Sequence, residues 1–410
     1  MTAALQAPPA AAGTWSIGAP RLLAGLDRLA VLDSATHLQV HGPLPAVDAD
    51  RLLHLLAAAP ILGRGGAGFP FLRKLQSLRG LRRRVIVNGA ESEPASGKDR
   101  VLLTRAPHLV LDGALATARA IGTSSVTVAV HDHATAVAVG RAIRERRDAA
   151  RVSVHRLTGG FVAGEARAVV RALDGGPALP PGRPRHTTED GDLVSNAETF
   201  AQLAVLLRLG PAGYAATGPR GEPGTTLLTV GGAVDRPGVV EIPLGTPLGI
   251  LLRAAGASDP QYVVVGGYHG RWLTPSPALP LSRAGLATAG GTLGAGVVLV
   301  VNGDTCGLGE LSRVAGWLAA QSAQQCGPCR FGLPALAADL AALSFGDVGA
   351  WVSVHRHAAV VEGRGACTHP TAALQFVRSA LRVLDPEVTD HLCGGCGRPV
   401  LGQLPIGGAR

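Results

Sequence analysis

Lysine is almost missing from this chain. Of its 38 basic residues only Lys74 and Lys98 are lysines, and both sit in glycine-containing motifs. Aromatic residues make up 3%, so the cores must be built from leucine, valine and alanine. No uncharged apolar run reaches the about 20 residues of a membrane-spanning helix. The opening MTAALQAPPAAAGTWS has neither a basic start nor a continuous apolar stretch, so no secretory signal is expected. Six cysteines in 410 residues are too few for a disulfide framework. Their clustering fits a reducing cytoplasm and metal binding. Acidic residues are outnumbered, giving a net charge of +9. The arginines are spread out, with runs at Arg82, Arg83 and Arg84 and at Arg144, Arg146 and Arg147. No nucleic-acid-binding motif accompanies them, and an acidic protein partner such as a ferredoxin is a better match for a basic surface, with simple solubility the equal alternative.

What is present is the composition of a globular chain, 47% hydrophobic and 16% charged. The most telling residues are Cys326 and Cys329 in QQCGPCRFG and Cys367 in RGACTHP. A close pair in a turn-forming Gly-Pro context plus a distant third thiolate is a way to hold an iron–sulfur cluster. Lysine is a compact point charge where arginine is a planar fork. Two lysines kept in such motifs suggest contact with a phosphate or a flavin.

Read along the chain, residues 1–54 carry no motif beyond a helix in LPAVDADRLLHLLAAA, with Asp48 and Asp50 near its start. In ILGRGGAGFPFLRK, Gly63, Gly65, Gly66 and Gly68 surround Arg64 and precede Lys74. Such a loop lets backbone N–H groups approach an anionic or planar ligand. The strand RRRVIVN leads into the acidic loop NGAESEPASGKDR, and further strands alternate with helices. That alternation predicts a layered parallel α/β sheet with ligands beyond its strand carboxyl ends. After a Pro/Gly-rich link and the helix of VSNAETFAQLAVLLRLG, a smaller α+β unit follows. From Leu308 the pattern is helical, with the cysteine pair between two helices.

GRGGAGFP, NGAESEPASGKDR with PH following, SNAET, CGPCR and the late lone cysteine together resemble the flavin subunit of respiratory complex I. They also resemble the diaphorase subunits of hydrogenases and formate dehydrogenases. The likeness covers about residues 55–385. It implies a Rossmann-like FMN domain (55–220), a β-grasp domain (224–302), a helical iron–sulfur domain (305–390) and a cysteine-containing tail (391–410). FMN rather than FAD is expected, since no G-x-G-x-x-G fingerprint follows a strand. Carried over by position, Gly63, Arg64, Gly65, Gly66 and Lys74, then Asn88, Glu91 and Ser92, then Gly164, Glu165 and Asn196 would hold FMN. Glu93 stands where the family's NADH-contacting carboxylate stands.

Departures temper the likeness. An aspartate is replaced by Ala90, a tyrosine by Phe161, a second glutamate by Ala166 and the first of two asparagines by Ser195. Phe69 remains, but other nicotinamide-stacking aromatics are gone, with Pro180 and Arg183 in the proline-rich segment. The resemblance thus implies an eroded nicotinamide site, with Arg183 placed to face a phosphate. The first cluster cysteine is Ala323. Cys326, Cys329 and Cys367 therefore need a fourth ligand from Cys393, Cys396 or Cys306, or hold a three-iron cluster. Cys306 precedes a helix that would put it roughly 30 Å from Cys326, which favours the tail pair. His391 beside that pair is another possible ligand, although a lone histidine near a tail is more often solvated. The expected function is a cytoplasmic flavin and iron–sulfur electron-transfer subunit, peripheral to a membrane complex or paired with a ferredoxin-like protein. An electron-relay module that has lost NADH oxidation and a cofactor-free scaffold are the alternatives.

Overall fold

The computed structural model describes residues 13–80, 83–182 and 186–407. Arg82 and Arg183 lie outside them.

Among the described residues ten strands form two sheets: β1 (Gly13–Ser16), β2 (Arg84–Gly89), β3 (Val126–Val130), β4 (Val152–Arg156), β5 (Asp192–Asn196), β6 (Thr225–Gly232), β7 (Gly238–Pro243), β8 (Pro260–Val265), β9 (Arg271–Leu273) and β10 (Val297–Asn302). The first sheet is all parallel in the order β4-β3-β2-β5. Its central strand reads as a continuous apolar run, Val85–Val87, because helices cover both faces. The helix Pro107–Ala120 is buried along almost its whole length. Gly113 lets it cross the helix Ala197–Ala215, since a Cβ there would run into the Phe200 carbonyl. The chain runs from β2 outward to β3 and β4, then returns to β5 on the other side of β2. The carboxyl ends of β2 and β5 therefore flank a topological switch point, where such sheets bind ligands. Asn88 and Asn196 are paired across it.

The second sheet is mixed, β1-β7-β6-β10-β8-β9. Its edge strand β1 comes from the N-terminal stretch that carries no sequence motif. There Gly13 to Ser16 pair in parallel with Gly238 to Glu241, and Trp15 packs into this sheet's core. The following turn is held by buried Glu241, which accepts from the N–H groups of Arg21, Leu22 and Leu23. Asp48 caps the helix Ala49–Ala58, as the sequence suggests. The short strand β5 escaped the sequence reading because it runs directly into a helix, with Asn196 serving as both last strand residue and N-cap.

The C-terminal part is helical: Gly307–Ala320, Leu333–Ser344, Val348–Val361, His369–Val383 and Asp385–Leu392. Val348–Val361, rich in β-branched valine, has weak helix propensity and gains its form from packing Ala350, Val354, Ala358 and Val361 inward. The tail beyond 392 is tied down, contrary to what a chain end suggests. The buried carboxylate of Glu310 accepts from the N–H groups of Gly402, Gln403 and Leu404. Tyr268 and Trp317 donate to the carbonyls of Pro405 and Gly407.

Candidate functional site

The glycine loop, the acidic loop and the Gly164–Glu165 turn converge on the carboxyl ends of β2 and β5. Asn88 Nδ2 donates to the Gly164 carbonyl at 2.9 Å, and its Oδ1 accepts from Ala90 N. A side chain at Gly164 would collide with Ser92 Oγ, which itself lies 3.2 Å from His131 Nε2. Gly65 is less tightly placed, with an added Cβ 3.3 Å from that of Asn196. Gly66 and Gly68 adopt φ of 107° and 63°, which glycine alone adopts freely. The Arg283 guanidinium, from the second sheet's region, donates to the Gly63 and Gly66 carbonyls and fixes the loop from behind.

Within this cradle the predicted residues divide. Arg64 turns away from the cradle and is buried, its Nη2 donating to the Thr225 carbonyl and its Nε 3.7 Å from Glu198. Glu91 has φ of 39°, rare for a side-chain-bearing residue. Its carboxylate caps the helix Lys98–Arg105 by accepting from Asp99 N and Arg100 N, and from Ser96 Oγ. Burial and the nearby Asp99 carboxylate raise its pKa. Glu165 caps the helix Ala166–Leu173 and pairs with Arg167 at 3.0 Å.

The two lysines part company. Lys98 is 2% exposed and its ammonium is consumed inside the protein by Asp99 at 2.8 Å, Asn196 at 2.9 Å and Glu198 at 3.2 Å. Burial alone would depress it, but the two carboxylates hold its pKa raised. The reading of Lys98 as a ligand contact is therefore corrected: a buried ammonium needs its counter-charges, and the chain supplies them. Among the described residues Lys74 has no such partners. Its Nζ reaches only neutral oxygens, the Val194 carbonyl at 2.7 Å and Ser195 Oγ at 3.4 Å, and burial pulls it down to about 8. A largely buried cation facing neutral acceptors suits an anionic group such as the phosphate or reduced ring of FMN.

Glu93 is 7% exposed and accepts from Tyr268 N at 2.7 Å. Burial pushes it up to about 7 against that bond. A side chain at Gly267 would strike its carboxylate, so the β8–β9 turn closes over it. Phe69 is exposed.

The thiols form two groups. Burial, with the Cys326 and Cys367 thiols close by, pushes Cys329 up to about 12. Burial also raises Cys367, with Cys326 and Glu165 adding to it. Such thiols ionise readily only beside a cation, and three of them close enough to shift one another's ionisation are a donor set that fits cluster iron. Cys306 and Cys396 are elsewhere. They converge with Glu387 and His391. Cys306 lies before the 14-residue helix whose far end leads to Cys326, a rise of roughly 20 Å. Cys393 is exposed and stands apart from that group. His391 is not solvated but buried, 3.3 Å from Cys306 Sγ.

The two sites are adjacent. The Gly164 carbonyl meets Asn88 on the flavin side, and the next residue, Glu165, lies close enough to Cys367 to influence its thiol. Phe161, four residues earlier, packs edge-on against Trp317 with ring centroids 5.4 Å apart and takes Gln321 Oε1 on its N–H.

A parallel α/β layer with a ligand cradle at its switch point, abutting a thiolate-bearing helical bundle, defines a flavin and iron–sulfur electron-transfer protein. Residues 56–205 match the Nuo51 FMN-binding domain, and residues 310–391 match the NADH-ubiquinone oxidoreductase-F iron–sulfur binding region. An NADH-quinone oxidoreductase F subunit of Rhizobium meliloti (strain 1021) is 27% identical over 380 residues, spanning 84% of this chain and 89% of that protein. The F subunit of Escherichia coli (strain K12) is also 27% identical, over 84% and 85% of the two chains. The crystal structure of the NAD+-reducing [NiFe]-hydrogenase in the air-oxidized state superposes with a TM-score of 0.80 at 25% identity, over 98% of this chain and 70% of the other. In the H2-reduced state the TM-score is 0.77 at 26% identity, over 90% and 66%. The chain belongs to the family of NADH-quinone oxidoreductase F subunits and their hydrogenase relatives, as a divergent member. Among the described residues no helix is long and apolar enough to cross a membrane.

Proposed function

We propose that this chain passes electrons between FMN, held at the carboxyl ends of β2 and β5, and a cluster held by Cys326, Cys329 and Cys367, with NADH a poor donor. FMN supplies the exchange between two-electron and one-electron chemistry. The chain's own part is placement. Lys74 offers an unneutralised charge to the flavin, Asn88 and Asn196 fix the cradle floor, and Gly164 permits close approach of the turn that leads to the cluster. The observation that carries this reading is that turn: Asn88 grips Gly164, while Phe161, three residues earlier, donates its N–H to Gln321 and packs its ring 5.7 Å from that of His369, two residues past Cys367.

One observation favours the relay reading over NADH oxidation. Glu93, the residue at the family's nicotinamide-contacting position, is buried under Gly267 and Tyr268. Reaching a nicotinamide would require breaking that bond. A missing stacked ring removes a further 0.5–1.5 kcal/mol or so. The electron donor or acceptor would then be a redox protein, with a ferredoxin-like acidic surface suited to the chain's basic one. An anaerobic visible spectrum before and after NADH, with flavin and iron analysis, tests this. Flavin and iron present but bleached by dithionite and not by micromolar NADH is the expected result. Rapid bleaching by micromolar NADH would return the chain to the ordinary dehydrogenases.

A further inference from the structure

We propose that Cys306, Glu387, His391 and Cys396 form a second metal site, for a single thiophilic divalent cation of the zinc type, which fastens the C-terminal tail to the helical bundle. This site shares no residue with the cluster thiols and stands independently of the electron-transfer reading.

The four ligand atoms all lie within 4.8 Å of one another. Glu387 Oε1 and His391 Nε2 are each 3.3 Å from Cys306 Sγ. A tetrahedral zinc with bonds of about 2.3 Å to sulfur and 2.0–2.1 Å to nitrogen or oxygen separates its ligands by about 3.6 Å. The observed spacing is within a small side-chain adjustment of that. Glu387 and His391 are one turn apart on the helix Asp385–Leu392, so they share a face. Cys306, Glu387 and His391 are buried and Cys396 is half-buried. Two sulfurs, an imidazole and a carboxylate in so small a space suit one ion that accepts mixed ligands, not a cluster.

The surroundings orient these ligands as an outer shell does. Gly309 N donates to Cys306 Sγ at 3.1 Å, at the start of the helix Gly307–Ala320. Leu308 N donates to Glu387 Oε1 at 2.8 Å, and Arg398 pairs with Oε2 at 2.8 Å.

The ligands come from three places in the chain: the N-cap before one helix, a second helix and the tail. Closing them around an ion fixes the tail where it starts. From there it runs through Pro399, whose carbonyl accepts from Cys306 N, to Gly407 against Trp317.

Metal analysis of the purified full chain tests the site. The expected result is about one zinc per chain beside the iron. C396S and H391Q should lose the zinc and keep the iron, C329S should do the reverse, and C393S should keep both. Zinc well below stoichiometry in the wild type, or iron lost in C396S with no zinc involved, would overturn the proposal. The second outcome would make Cys396 a cluster ligand. Should C396S fail to fold, cobalt exchange into the wild-type protein decides. Intense tetrahedral bands with thiolate charge transfer support the site, and a weak octahedral spectrum refutes it.

Discussion

Replacing each lysine by methionine should give opposite results, because the two ammonium groups meet opposite surroundings. In K98M the carboxylates of Asp99 and Glu198 stay buried without the cation they face at 2.8 and 3.2 Å. Glu198 keeps the Arg64 cation at 3.7 Å and the neutral donors Thr226 Oγ1 and Leu227 N, and Asp99 keeps the neutral donor Asn196 Nδ2. Breaking a buried pair by removing one partner costs about 3–5 kcal/mol. If the two sheets unfold as one unit, that lowers Tm by roughly 6–20 °C. In K74M no carboxylate is stranded. Burial that brings Lys74 from 10.5 to about 8 penalises its charged form by up to roughly 3 kcal/mol at neutral pH, so the flavin-free K74M protein should be as stable as wild type or more so. It should instead bind FMN more weakly, by about 10–100-fold for one charge-assisted contact of 1.5–3 kcal/mol. The sign in pH follows. Lys74 holds its proton more weakly folded than unfolded, so flavin-free wild type should gain stability between about pH 8 and 10.5, and K74M should lack that gain. Calorimetry and FMN titration of deflavinated protein read both quantities. A K74M protein that melts as early as K98M, or that binds FMN at full strength, would refute the reasoning.

Glu93, raised to about 7, keeps its proton when folded after the unfolded chain has lost its own. Stability should therefore fall as pH rises from about 4.5 to 7, and E93Q should flatten that fall in a pH series of melting curves. In G65V the added methyls would press into Asn196, already 3.3 Å from an ideal Cβ, so flavin content should drop while the protein stays soluble, as absorbance after gel filtration will show. E310A strips the shared acceptor from Gly402, Gln403 and Leu404, and hydrogen exchange should rise at those amides with little change in β2 or β3.

Local pattern made the parallel sheet and the C-terminal helices legible, since continuous apolar strands and amphipathic periodicity are short-range signals. The glycine loop and the CGPC turn were legible for the same reason. What sequence could not give was which charges cancel. Lys74 and Lys98 look alike in their motifs, and what separates them is the inward turn of neighbouring Asp99 together with the approach of Glu198, a hundred residues on. The edge strand at Gly13–Ser16 was hidden because its partner is more than 200 residues away. Cys306, Glu387, His391 and Cys396 carry no joint spacing rule. The HLCGGC run drew attention to Cys396, but nothing in the sequence joined it to Glu387, one helical turn before His391, or to Cys306.

Reductive titration of the wild type and C329S, followed anaerobically by visible and paramagnetic resonance spectra, tests the electron path most directly. The wild type should hold flavin and roughly three to four irons, with the cluster signal growing as the flavin bleaches. C329S should keep a reducible flavin and lose the cluster signal. A cluster signal undiminished in C329S, or a wild type with iron but no flavin, would contradict the account.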